Sequence, residues 1–131
     1  MSRRDPSDDR PVLIDSNVLI DHLNDVAAAT DYLRALGDRA AVSAITRAEV
    51  LSGYPRGEHA GVARMMDRFH FLPIDAQAAD LAARLRHRHR WRLPDAIQAA
   101  LAQLHGLKLA TRNTRDFPPR KHRFVTVPYR V

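Results

Sequence analysis

The chain has 131 residues, no cysteine and a formal net charge of +6. That length suits one domain with a buried core rather than two. The lack of cysteine excludes disulfides and thiolate metal sites, and a hydrophobic fraction of 45% excludes disorder throughout. The isoelectric point near 10.7 comes from arginine far more than lysine. Guanidinium groups suit phosphates and stack on bases, so a polyanionic partner is expected.

Residues 1–10, MSRRDPSDDR, are charged, carry Pro6 and lack an apolar signal core. They predict a flexible arm ahead of a single domain over 11–131. No run is long enough to span a bilayer, so no membrane association and a cytoplasmic protein are expected. Val12–Ile14 is a short apolar run that reads as a buried strand ending at Asp15. An open α/β sheet presents that position to its ligand crevice. A side-chain cap on the next helix explains Asp15 equally well.

A helical turn is expected at Val18–Leu23 and a helix at Ala27–Leu36, stopped by Gly37. Ala40–Ile45 reads as a second strand. Thr46 and Glu49 have the spacing of a capping box opening the next helix, a structural account of Glu49 that competes with a catalytic one. Beyond a loop at Gly53–Gly57, apolar residues recur at helical spacing through Val62, Met65, Met66 and Phe69. Phe71–Ile74 is a third strand, confined to an edge by Pro73. Asp75 is placed to cap a helix that carries Ala78, Leu81, Ala82 and Leu85 on one face.

The segment Arg84–Arg92, RLRHRHRWR, supports two readings. One is a solvated helix end whose cations complement the dipole. The other is an RNA-contacting rim, with Arg86, Arg88, Arg90 and Arg92 on phosphates and Trp91 stacking a base. His87 and His89 are two residues apart and share no helical face, so no histidine metal pair is expected. Leu93-Pro94-Asp95 opens a helix with Ile97, Ala100, Leu101 and Leu104 in one stripe and Gly106 at its end. There Asp95 is favoured by the helix dipole alone. Leu107–Ala110 is a fourth strand leading into TRNTRDF, and Phe124–Val127 a fifth. The order β-α-β-α-α-β-α-α-β-β predicts an α/β fold, a mostly parallel sheet with helices on both faces.

Four acids stand out: Asp15, Glu49, Asp95 and Asp116. Asp15 and Asp116 follow strands, whereas Glu49 and Asp95 lie early in helices, so a parallel sheet can bring all four to one edge. Carboxylates gathered there repel one another unless a cation compensates them. Oxygen-only ligands select Mg²⁺ or Mn²⁺. Such ions activate water and clamp a scissile phosphate, which makes metal-assisted phosphodiester hydrolysis the candidate reaction.

Four segments in order, Val12–Asp21 (VLIDSNVLID), Ser43–Gly53 (SAITRAEVLSG), Leu93–Ala99 (LPDAIQA) and Thr111–Phe117 (TRNTRDF), resemble the PIN-domain ribonucleases, specifically the VapC toxins of type II toxin–antitoxin pairs. The resemblance runs from about Pro11 to the end of the chain. It implies a PIN-like three-layer sandwich with about five parallel strands and Asp15 on a central one. It implies that Asp15, Glu49, Asp95 and Asp116 form the catalytic, Mg²⁺- or Mn²⁺-binding cluster, with Asp15 and Asp95 the most direct ligands. Ser16, Asn17, Thr111 and Asn113 would support the site, although Asn113 also suits a turn. Asp21 would be a structural or outer acid, and Arg112 would join the RNA-binding rim. An RNA substrate, a cognate antitoxin and a homodimer are implied as partners.

Two other readings compete with a metal-dependent endoribonuclease. A non-catalytic RNA-binding module of the same fold would bind RNA in a salt-dependent way without turnover. A phosphatase using Asp15 as nucleophile would want a second Asp two residues on, and the chain has Asn17 there.

Overall fold

The computed structural model describes residues 10–130. The arm expected at residues 1–10 therefore lies, apart from Arg10, outside the described residues. Short runs rich in apolar residues alternate with amphipathic segments, and these become the strands and helices. In chain order they are β1 (Val12–Ile14), α1 (Ser16–Leu23), α2 (Ala27–Leu36), β2 (Ala40–Ser43), α3 (Ala44–Ser52), α4 (His59–Met66), β3 (His70–Leu72), α5 (Ala76–His89), α6 (Leu93–His105), β4 (Lys108–Ala110) and β5 (Val125–Thr126). The sheet order is β3-β2-β1-β4-β5, and every neighbouring pair is parallel. Among the described residues no helix is long and apolar enough to cross a membrane.

Side chains alternate across a strand, so the central strand feeds two cores. Leu13 joins Ala41 and Leu109 on the face packed by α5 and α6, with Ala82, Leu85, Leu101 and Phe117. Val12 and Ile14 join Ala40, Val42 and Ala110 on the face packed by α1 to α4, with Leu19, Leu33, Val50 and Met66. Leu13 and Ile14 are both fully buried, as expected for a strand covered on both faces.

Several boundaries differ from expectation for local reasons. Strand β2 stops at Ser43 rather than Ile45, because the Ser43 hydroxyl accepts the Thr46 N–H at 3.1 Å and caps α3. The Thr46–Glu49 capping box is thereby overturned, and Glu49 lies inside α3 with no capping duty. Strand β3 ends before Pro73, which has no N–H to give a ladder, and it lies at the sheet edge as expected. Asp75 caps α5 through the Ala78 N–H at 2.8 Å. Gly106 closes α6 in the left-handed region at φ 64°.

Helix α5 also ends in the left-handed region, but on Arg90 (φ 58°, ψ 31°), whose N–H donates to the Arg86 carbonyl at 2.7 Å. A side chain is strained there by Cβ–carbonyl crowding. Arg90→Gly should therefore raise unfolding stability by about 1 kcal/mol. Chemical denaturation checks this, and an unchanged midpoint would show that the bend carries no strain.

Candidate active site

The chain runs outward from β1 through β2 to β3, then returns to place β4 on the opposite flank of β1. The carboxyl ends of β1 and β4 thus border the crevice where such sheets bind ligands. Asp15 follows β1 and Thr111 follows β4, joined by the Asp15 N–H donating to the Ala110 carbonyl at 3.0 Å.

Asp15 is 5% exposed, and its carboxylate accepts from four donors. Oδ1 takes the Ser16 N–H at 2.9 Å and Gln98 Nε2 at 3.1 Å. Oδ2 takes the Thr111 hydroxyl at 2.7 Å and Asn17 Nδ2 at 3.4 Å. The Ser16 bond is the local helix cap; the Gln98 and Thr111 bonds come from other elements. Asp15 is therefore a helix cap that also joins α6 and the loop after β4. Thr111 Oγ1 also accepts from Asn17 Nδ2 at 3.1 Å and from the Asn113 N–H at 3.0 Å.

Gln98 escaped the reading of the sequence. It is 1% exposed. Its Oε1 accepts the Ser43 hydroxyl at 2.6 Å, which fixes the amide so that Nε2 donates to Thr46 Oγ1 at 2.6 Å and to Asp15. The available signal was an amide set among the apolar residues Ala96–Ala102 of α6, three residues after Asp95 and so on the same face. Ser43 and Thr46 were missed because the serine lay inside an expected strand.

The other acids arrive from different elements. Glu49 on α3 accepts the Ser16 hydroxyl at 3.2 Å. Asp116 lies in the loop after β4, where Asn113 Nδ2 donates to its carboxylate at 3.0 Å and the Asp116 N–H returns to Asn113 Oδ1 at 3.3 Å. Asn113 therefore both shapes the turn and orients the acid. Asp95, in the first turn of α6, is partly buried.

Electrostatics ties the four together. The Asp95 carboxyl is pushed up to about 6, first by burial, then by the charges of Asp15 and Asp116, with Glu49 adding and Arg92 opposing. Glu49 is raised by burial and by Asp15, against the Ser16 hydrogen bond and Arg92. Arg92 is thus the member of the expected rim that acts on the acids. Arg86, Arg88 and Arg90 are exposed.

Two rim assignments are corrected. Trp91 is 6% exposed: it packs on Phe117 at 4.8 Å and its Nε1–H donates to the Asp116 carbonyl at 3.0 Å, so its ring cannot stack a base. Arg112 is committed to Asp21, with Nε on Oδ2 at 2.6 Å and Nη2 on Oδ1 at 3.0 Å, so it is no free phosphate contact. Asp21 also accepts the Tyr129 hydroxyl at 2.7 Å, and burial and that carboxylate hold the phenol well above its usual range. Asp21 thus joins Arg112 to Tyr129.

Among the described residues, no three His, Cys, Asp or Glu side chains already close on one metal-sized point. The donor chemistry nevertheless fits a hard cation. These acids offer only oxygen, Arg92 offsets their repulsion only in part so that Asp95 and Glu49 stay raised, and Mg²⁺ needs just one or two direct carboxylates, keeping water elsewhere.

The repulsion has a pH consequence. The folded state holds the Asp95 proton more tightly than the unfolded chain does. This site therefore contributes stability as pH falls below about 6 and loses it as pH rises through that value. In excess chelator at pH 7, Asp95→Asn should stabilise the protein, on the order of 1 kcal/mol after allowing for solvent screening of a half-exposed group. The gain should shrink toward pH 4. Thermal melts at both pH values check it, and a destabilised variant at pH 7 contradicts it.

Comparisons place the chain among known proteins. The model of the PIN domain family matches residues 12–120. Ribonuclease VapC10 of Mycobacterium tuberculosis is 37% identical over 114 residues, covering 82% of this chain and 86% of that one. A chain from a toxin–antitoxin complex of Klebsiella pneumoniae superposes with a TM-score of 0.82 at 36% identity, covering 92% of this chain and 99% of its own length. A chain from the FitAcB crystal structure of Neisseria gonorrhoeae gives 0.72 at 27% identity, covering 92% and 99%. The family match, the identity to VapC10 and the shared five-stranded parallel fold together establish that this chain belongs to the PIN-domain family, as a relative of the VapC proteins.

Proposed function

We propose that the protein is a divalent-metal-dependent endoribonuclease and the toxin of a type II toxin–antitoxin pair. The observation that carries this reading is the gathering of carboxylates at the sheet's switch point: Ser16 gives its N–H to Asp15 and its hydroxyl to Glu49, and Asp95 is raised by the charges of Asp15, Asp116 and Glu49. Helix capping and dipole effects account for Asp15 and Asp95 singly, but give no reason for four acids to share a crevice. The relatives support the same reading: one is named a ribonuclease, and another comes from a toxin–antitoxin complex.

Mg²⁺ is the proposed cofactor, with Mn²⁺ as a substitute. Asp15 and Asp95 would hold it directly, and Glu49 and Asp116 through water. Bound there, the ion supplies an activated water and charge stabilisation at the scissile phosphate. The rest falls to the chain's own side chains. Gln98 and Thr111 pin the two Asp15 oxygens, Ser16 holds Glu49, and Asn113 holds Asp116. Arg92 offsets the acids and would meet a phosphate, while Arg86, Arg88 and Arg90 would draw in the polyanion. A cognate antitoxin, a homodimeric state and a cytoplasmic location belong to the same proposal.

Purified protein should cleave RNA with Mg²⁺ or Mn²⁺, and excess chelator should stop it. Asp15→Asn or Asp95→Asn should lower cleavage by about a hundredfold or more with the far-ultraviolet circular dichroism unchanged. Full activity in either variant, or in chelator, rejects the mechanism. Gln98→Leu should weaken Mn²⁺ binding about tenfold, because a ligand's outer hydrogen-bond partner is removed. Titration of Mn²⁺ by electron paramagnetic resonance reads this directly, and wild-type affinity would show that Gln98 does not orient Asp15.

A further inference from the structure

With Trp91 buried, the aromatic surface at the rim passes to His89. We infer that the outward face of His89 is a nucleobase-stacking subsite for the RNA strand, an inference that rests on the proposed RNA substrate. His89 is the last residue of α5 and is exposed. Its imidazole lies flat on the Trp91 indole, with ring centroids 4.2 Å apart and planes 18° from parallel. His122 meets this stack from the side, 5.4 Å from His89 at 81° and 5.2 Å from Trp91 at 63°. One face of the imidazole is therefore covered and the opposite face is left to solvent.

The backing is rigid. Trp91 is fixed by Phe117 behind it and by its Nε1–H on the Asp116 carbonyl. Imidazole on indole makes a two-layer aromatic block joined to the backbone of a site acid. A histidine at a helix end ordinarily keeps its rotamer freedom; here the stack has already removed it, so a flat ligand meets a pre-ordered surface. The left-handed turn at Arg90 brings this about, since it folds Trp91 back beneath His89.

The surroundings specify the ligand. Exposed Arg88, Arg90 and Arg92 lie within three residues of His89 along the chain. The ion pairs among the described residues beyond Arg10 are Arg47–Asp67 and Arg112–Asp21, and the flanking arginines take part in neither. Cations that track a backbone beside a planar ring that stacks bases form a single-strand binding surface. An acidic peptide would use the arginines and leave the ring face idle. Asp116 carries both the backbone carbonyl that holds the block and a candidate ligand carboxylate. A base on His89 thus belongs to a nucleotide close to the phosphate at the acids, and the subsite would influence which bond is cut.

The test is binding of a fluorescein-labelled 12-nucleotide oligoadenylate in excess chelator, read by anisotropy, beside a 12-nucleotide strand with the same backbone and no bases. His89→Ala should weaken the oligoadenylate about fivefold or more, the low end for loss of one base–aromatic stack. His89→Phe should restore it, and neither change should move the affinity for the abasic strand. Trp91 is the chain's single tryptophan, so its emission should change with oligoadenylate and not with the abasic strand. The inference is overturned if wild-type protein does not distinguish the two strands, or if His89→Ala binds oligoadenylate like wild type. It is equally overturned if His89→Ala weakens both strands alike, which is loss of charge or backbone contact rather than of a stack. Discrimination by a wild-type protein that cuts no RNA with Mg²⁺ would sink the nuclease reading and leave the subsite standing.

Discussion

A carboxylate buried at the end of a central strand is the constraint on which the rest of this molecule depends. Removing an ionised carboxylate from water is costly unless its lone pairs are answered, and here Asp15 is answered four times. Hydrogen bonds to charged groups are worth about 1.5–3 kcal/mol each, so this set offsets a burial penalty of several kcal/mol. The donors come from α1, α6 and the start of the loop after β4. Satisfying one side chain therefore fixes the relative positions of three parts of the chain.

Helix α6 has the largest share in that arrangement. It presents Asp95 on its first turn and Gln98 one turn later, so the same rigid element carries a site acid and the amide that orients another. Ser43 and Thr46 complete the link, joining the end of β2 and the start of α3 to that amide. Outside this polar network, the chain secures the margin of the site with weaker means. The Trp91 indole holds the Asp116 backbone, and Asp21 clamps Arg112 and Tyr129 so that the C-terminal segment lies against α1. These contacts hold the loop after β4, which would otherwise be free to carry Asp116 away from its partners.

The legibility of the sequence followed the range of the interactions. Short apolar runs, helical stripes and caps depend on near neighbours, so the five strands, Asp75 and Gly106 were readable. The ordered motifs around Asp15, Glu49, Asp95 and Asp116 gave the family, because motif order survives changes in surface and loop. Local reasoning failed where two local explanations competed. Thr46 and Glu49 matched a capping box in spacing, yet Ser43 caps the helix, because the strand ends three residues before Thr46. Trp91 and Arg112 were misplaced for the opposite reason: a ring and a guanidinium look available until distant partners at Asp116, Phe117 and Asp21 occupy them.

By itself, the sequence determined the fold class and the succession of five strands, and it singled out four acids, since hydrophobic period and motif order act along the chain; the expected order had one helix between β1 and β2, where the structure has α1 and α2. Tertiary structure alone decided which side chains hold those acids and which arginines and rings face outward. Gln98 sits 83 residues from Asp15 and Thr111 sits 96 away, and no local pattern encodes a bond between residues so far apart. Whether a ring stacks on a base or fills a core is likewise settled by burial, a property of the packed molecule. The exposure of His89 and the burial of Trp91, two residues apart in one arginine-rich run, follow from a single left-handed turn at Arg90.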